Sequence, residues 1–272
     1  MKKIFIALAL ILGTYSAQAW NWVYDQAALL LAYENMTPTA LAELKKYLGE
    51  NVRQQVQTFE QARKKGDLLE SADWRTISLD VDLKPVVADD KNAIAQLENA
   101  VEVVKNRASK SNEEVAFAIR KIIELTIEMH NVGNVYLEDF PYSKEDFEFQ
   151  QSMGGYGKKE KFRARKWKHF WSYGFSVFHS AWSAEMHVRD LKVCHGRYKE
   201  QYMAGSIRNW ATDMGNLVKP LYEWAGPYCQ LSRQAHAEEE ERFYAGGARA
   251  AFRIAALMNE ATKLKINLQT SH

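Results

Sequence analysis

Ser111 and Glu114 stand three residues apart just ahead of a long apolar run, Val115 to His130, and together they read as a capping box that starts a helix. The run is apolar on most of its sides, with one narrow polar stripe through Arg120, Glu124 and Glu128. A helix with so little polar surface has to be enclosed by neighbouring elements, which puts it at the centre of whatever forms. Those neighbours read as helices too. Ala27 to Glu34, Pro38 to Leu48, Asn51 to Ala62 and Asn92 to Val104 carry helical periodicity, with Thr37 as a cap and Pro38 at the first helical position. A last helix is expected from Glu241 to Lys265, with Glu238 to Glu241 as its acidic first turn. Alternating β-branched runs are nearly absent, so the fold class is all-α. With no internal repeat or Pro/Ser-rich linker, a single multi-helix domain is expected.

Two segments break the helical pattern: Arg75 to Lys91, and Val132 to Lys161 with its Pro, Gly and mixed charge. Both read as loops that could line a cleft. Trp167, Trp171, Phe175, Phe178 and Trp182 recur every three or four residues and read as a buried aromatic seam on one helix face.

The chain has 272 residues, of which 47% are hydrophobic and 26% charged, and these figures exclude collagen-like, low-complexity and disordered classes. Lys2 and Lys3, the apolar run Ile4 to Leu12, and Ala17-Gln18-Ala19 have the three parts of a secretory signal peptide. Residues 1–19 are therefore expected to be removed, leaving 20–272 as an exported domain, periplasmic or secreted, that begins at Trp20. No later stretch approaches the roughly 20 apolar residues of a membrane span. Loss of Lys2 and Lys3 brings the 36 Lys+Arg down to 34, equal to the 34 Asp+Glu, so overall basicity gives no argument for nucleic acid. A local patch remains. Lys158, Lys159, Lys161, Arg163, Arg165, Lys166 and Lys168, with Phe162 and Trp167 interleaved, could follow a phosphate backbone and stack a base, or form the solvated start of an amphipathic helix. Cys194 and Cys229 could pair in an oxidising compartment but make no zinc spacing. His169, His179, His187, His195 and His236 show no pairing at metal-ligand spacing.

The opening Trp20-Asn21-Trp22-Val23-Tyr24-Asp25, with Ala32, Thr37-Pro38 and Leu48-Gly49 behind it, resembles the start of the S-one/P-one type of zinc-dependent single-strand-specific nucleases and 3′-nucleotidases. Ser71-Ala72-Asp73 resembles that family's Trp-Ala-Asp segment, and Trp210-Ala211-Thr212-Asp213 a later Trp-Ala segment. Arg253-Ile254-Ala255-Ala256-Leu257-Met258-Asn259 resembles its C-terminal Arg-Leu-Ala-x-x-Leu-Asn helix. The resemblance spans the mature chain and implies the helical trinuclear-zinc fold shared with phospholipase C. It also implies ligand positions. Trp20 would bind through its free amine and carbonyl, Asp25 stands at an early His, and Asp73 is a ligand and the candidate catalytic residue. Asp80 takes the place of the His that follows. In the central frame Glu124 stands at a His, Glu128 at an Asp and Asn134 at a second His, while Lys168 and Ser172 take a His and an Asp of the Asn-Leu-His-x-x-Trp-Asp frame.

Members of that family hold three zinc ions that polarise a phosphoryl oxygen, supply a hydroxide and neutralise the departing oxygen. Here every His position carries another residue. Asn134, Lys168 and Ser172 offer a weak neutral donor, a cation and a hydroxyl, a set not expected to hold zinc. Asp25, Asp73, Asp80, Glu124 and Glu128 are an oxygen-rich set suited instead to calcium, magnesium or manganese. Confined carboxylates repel one another, so either such a cation sits among them or basic side chains such as Lys168 and Arg120 turn the centre into a salt-bridge network. The spacing of Glu124 and Glu128 also fits a solvated stripe. Two functions follow. The first is a family member without zinc or other cofactor, impaired or inactive as a hydrolase, which binds single-stranded nucleic acid, nucleotides or a protein. The second is an active metal-dependent endonuclease or phosphoesterase using a non-zinc cation.

Overall fold

Ser111 Oγ accepts a hydrogen bond from Glu114 N at 3.2 Å, and the Glu114 carboxylate accepts one from Ser111 N at 2.9 Å, so the capping box forms as read. The computed structural model describes residues 22–51, 76–87, 92–138, 147–152, 159–164, 183–225, 228–229 and 233–263. In chain order the elements are α1 (Trp22–Glu34), α2 (Pro38–Leu48), β1 (Ile77–Leu79), α3 (Ala93–Lys105), α4 (Asn112–His130), β2 (Val135–Leu137), β3 (Phe147–Ser152), β4 (Lys159–Ala164), α5 (Ala184–His195), α6 (Lys199–Met203), α7 (Ile207–Ala225), β5 (Tyr228–Cys229) and α8 (Arg233–Ala261). The fold class is all-α, with α4 at its centre packed against α1, α2, α3 and α8. Every residue from Ile122 to Val135 is buried.

Small side chains set how closely the helices approach. Ala27, Ala28 and Ala32 of α1 and Ala248, Ala251 and Ala255 of α8 are fully buried, so these two helices pack backbone-close along their length. Gly247 shows how close: a Cβ there would lie 2.3 Å from Cε1 of Tyr24. Thr37 Oγ1 accepts from Ala40 N at 3.2 Å to cap α2, and Gly49 ends that helix at φ +97°, a conformation that favours glycine.

Both segments expected to be loops contain paired strands. Ile77–Leu79 within the first runs parallel to Val135–Leu137 within the second, with Ile77 opposite Val135 and Leu79 opposite Leu137. The second segment also holds β3 and the start of β4, which pair antiparallel, and β5 joins β3 on its other edge. Tyr222 of α7 ties β2 to the core, its hydroxyl donating to Val135 O at 3.0 Å. The last helix starts at Arg233 rather than Glu241, because nothing between Arg233 and Glu238 breaks a helix, so Glu238 to Glu241 lie inside it rather than at its first turn. It stops at Ala261, where the Arg107 guanidinium donates to Ala261 O at 3.1 Å and Thr262 O at 3.2 Å. The expected helix Asn51 to Ala62 and the aromatic seam from Trp167 to Trp182 lie outside the described residues, apart from Asn51. Among the described residues no helix is long and apolar enough to cross a membrane.

Candidate functional site

Glu124 and Glu128 are one turn apart on α4 and only 5% and 3% exposed, so the stripe that spacing alone allowed to be solvated is enclosed. The helix N-terminal to them explains why: α4 dives into the core after Lys121, and its polar residues go with it. Past His130, a single 3₁₀ turn, Val132–Asn134, folds the chain back, held by Asn131 Oδ1 accepting from Gly133 N at 3.0 Å. That turn lays Asn134 over the end of the helix. Its Nδ2 donates to Glu128 Oε2 at 2.5 Å and to Glu128 O at 3.2 Å. Both partners accept, which fixes the amide with its nitrogen toward Glu128. Arg120 is half-buried and makes no ion pair among the described residues, so it is not the cation that neutralises these carboxylates.

The same stretch of α4 carries a second polar set, with Thr126 and His130 about half a turn from Glu124 and Glu128. Arg253 of α8 is buried and donates from Nη1 to His130 Nε2 at 2.7 Å, from Nε to Tyr202 O at 3.0 Å and from Nη2 to Asp213 Oδ2 at 2.5 Å. A guanidinium only donates, so His130 Nε2 accepts, and the ring proton sits on Nδ1, which donates to Thr126 O at 2.6 Å. Burial, reinforced by the Arg253 charge, holds the His130 pKa well below the usual imidazole range. Burial also lowers Arg253, against the pull of Asp213, to about 10. Burial alone would raise the Asp213 carboxyl, but the hydrogen bond from Arg249 and the charge of Arg253 outweigh it, so the group lies below the ordinary carboxylate value. Asp213 thus joins two arginines, with Arg249 Nε donating to its Oδ2 at 2.7 Å. In the sequence Asp213 and Arg253 stand only as parts of motifs, and His130 as the end of the central run. The available signal was an arginine inside the otherwise apolar run Ala250 to Met258.

The other expected positions divide. Asp25 sits on α1 with its Oδ1 buried. Asp80 stands apart: its Oδ1 accepts from Asp82 N at 3.0 Å and Lys84 N at 2.8 Å, organising the turn that follows β1. In the parallel β1–β2 register Asn134 is level with Thr76, so Asp80 lies four residues further along, about 13 Å at 3.3 Å per residue. That turn docks on α7 instead, where Thr212 Oγ1 donates to Leu83 O at 2.8 Å. Trp20, Asp73, Lys168 and Ser172 lie outside the described residues. Among the described residues no group of three or more His, Cys, Asp or Glu is placed to hold a metal ion. His187 and His195 are buried, and His187 stands edge-on to Tyr24 with ring centroids 5.3 Å apart. Cys194 is a free, exposed thiol, so it does not pair with Cys229.

The basic patch changes character. Lys159–Ala164 is a strand rather than the start of a helix. Lys158, Arg165, Lys166 and Trp167 lie outside the described residues. No protein-family model matches the chain, and no curated protein matches it significantly.

Proposed function

We propose that the chain is an exported relative of the zinc-dependent single-strand nucleases that works by binding rather than hydrolysis. The observation that carries this reading is the hydrogen bond from Asn134 to Glu128 at 2.5 Å. In the frame of that family these positions belong to two different metal sites. Here an amide N–H is aimed at the carboxylate, so the two are tied to each other. A donor set of carboxylates and an amide oxygen does not fit three zinc ions, which favour imidazole and thiolate nitrogen and sulfur ligands alongside a few carboxylates. Kinship is supported by where the residues of the resemblance meet. Thr37 N donates to Asn259 Oδ1 at 2.7 Å, which joins the Thr-Pro corner to the C-terminal motif, and Arg253 of that motif binds Asp213 of the Trp-Ala segment.

A second reading, an active phosphoesterase using calcium, magnesium or manganese, draws on the burial of Glu124 and Glu128 on consecutive turns, since two enclosed carboxylates are a good start for a hard-cation site. One experiment separates the two. The chain processed after Ala19 is assayed for bound metal by mass spectrometry and for hydrolysis of single-stranded DNA and a 3′-nucleotide, with each of the four metals added in turn. Metal well below one equivalent and no turnover is the expected result. One equivalent or more, with turnover that Glu128→Ala abolishes, would overturn the binding-protein reading and establish the second.

A further inference from the structure

Away from α4, helices α1, α2 and α5 leave an open groove of about 700 Å³, within the range of small-molecule pockets. Its floor is Leu30 and Tyr33 of α1. Leu41 and Lys45, one turn apart, line it from α2, and Val188, Arg189 and Lys192 line it from α5. We propose that this groove binds a single-chain amphiphile with an anionic head, its alkyl chain on Leu30, Leu41 and Val188 and its head between Lys45 and Arg189.

Two independent features of the groove support the assignment. The first is apolar surface left facing water. Among the described residues the exposed large hydrophobic side chains are Val81, Phe117, Met186 and Val193, and α5 alone carries two of them, with Val193 at the groove 75% exposed. The second is the charge that remains once pairs are taken out. Glu34 and Lys192, facing each other across the groove, form an ion pair and cancel. Arg189 makes no ion pair among the described residues, and Lys45 reaches only the exposed Glu50, at 3.6 Å. Two cations on opposite walls above an apolar floor match one anionic group joined to an apolar tail. Glu185, the other acid of the groove, stands one turn before Arg189 on α5, and the lining as a whole, three cations against two acids, keeps a net positive charge.

The inference is independent of the nuclease resemblance and is tested on the full chain by titration calorimetry, below the micelle concentration, with dodecanoate, dodecyl phosphate and dodecanol. At least one of the two anions is expected to bind with dodecanol about tenfold weaker, and the stronger of the two anions identifies the head as carboxylate or phosphate. Arg189→Gln is expected to weaken the anion about fivefold while leaving dodecanol unchanged. Leu41→Glu, at a half-buried position of the wall, is expected to abolish binding of all three ligands. Equal binding of dodecanol and the anions, anion binding untouched by Arg189→Gln combined with Lys45→Gln, or no binding at all would each overturn the proposal. Both charge variants are at the surface, and an unchanged thermal melt separates a lost site from a lost fold.

Discussion

The two polar sets at the end of α4 are about half a turn apart, and both bury their α4 residues, yet they meet burial differently. At His130 each polar atom faces a complementary one, and the chain of contacts runs from Thr126 through the imidazole to Arg253 and on to Asp213 and Arg249. At Glu124 and Glu128 two carboxylates share one face, and Glu128 accepts from the neutral amide of Asn134. A set whose charges alternate is a fastening between helices. One built from like charges is the kind that in other proteins is kept for chemistry, and here an amide has been set against it. The difference teaches that burial of polar groups does not by itself mark a site: the sign of the neighbouring charge does.

The sharpest way to break the comparison is to remove Arg253. Arg253→Met leaves Tyr202 O and His130 Nε2 without their donor and takes one of two arginines from Asp213. A loss of about 3–5 kcal/mol in urea unfolding is expected, as for one partner removed from a buried pair. A loss under 1 kcal/mol would mean the fastening is incidental. Next in size is Asn134→Asp, which replaces the amide by a third carboxyl against Glu128. A loss of about 2 kcal/mol at pH 7 is expected, from repulsion and an unmet acceptor. It should shrink as pH falls and one of the pair takes up a proton, and millimolar calcium should restore part of it. Unchanged stability would mean that Glu128 is not held by Asn134.

The pH dependence of the His130 set follows with its sign fixed by geometry. The folded pKa lies below the unfolded one, so the folded state resists a proton that the unfolded chain accepts. The stability tied to the neutral ring is therefore complete above about pH 6.5 and falls as pH drops below it, by up to about 1.4 kcal/mol per pH unit. Urea midpoints at pH 7 and 5 should differ, and His130→Gln should remove most of that difference. A slope that survives the substitution would assign it to other groups.

What could be read from the sequence was whatever is written within a few residues. The Ser111–Glu114 box, the Thr37-Pro38 start and the central apolar run are local signals, and the structure has all three. The parallel pairing of Ile77–Leu79 with Val135–Leu137 was not legible, because three residues are too few to show a period of two and the partner is far along the chain. The start of α8 was not legible because Glu238 to Glu241 imitates an acidic first turn, while the helix already runs from Arg233. At the site, spacing put Glu124 and Glu128 on one face and the family resemblance added Asn134, but neither said what covers them. Arg253 was visible only as a letter in a motif, since its partners come from α4, α6 and α7.

The smallest expected effect isolates burial from geometry. Arg208 grips Glu98 with the same two-pronged contact, Nε to Oε1 at 2.9 Å and Nη2 to Oε2 at 3.1 Å, that Arg249 makes with Asp213. The Arg208 side chain is 53% exposed where Arg249 is 13%, while the carboxylates are alike, Glu98 at 39% and Asp213 at 35%, so it is around the arginine that water competes for the hydrogen bonds. Arg208→Met should therefore cost under about 1 kcal/mol, and most of that should vanish in 1 M salt, where screening acts over about 3 Å. Arg249→Met, with its carboxylate shared by Arg253, should cost more and respond less to salt. If the two substitutions cost the same at both salt concentrations, the fork itself rather than its enclosure sets the strength, and the contrast drawn between enclosed and open charge on this molecule fails.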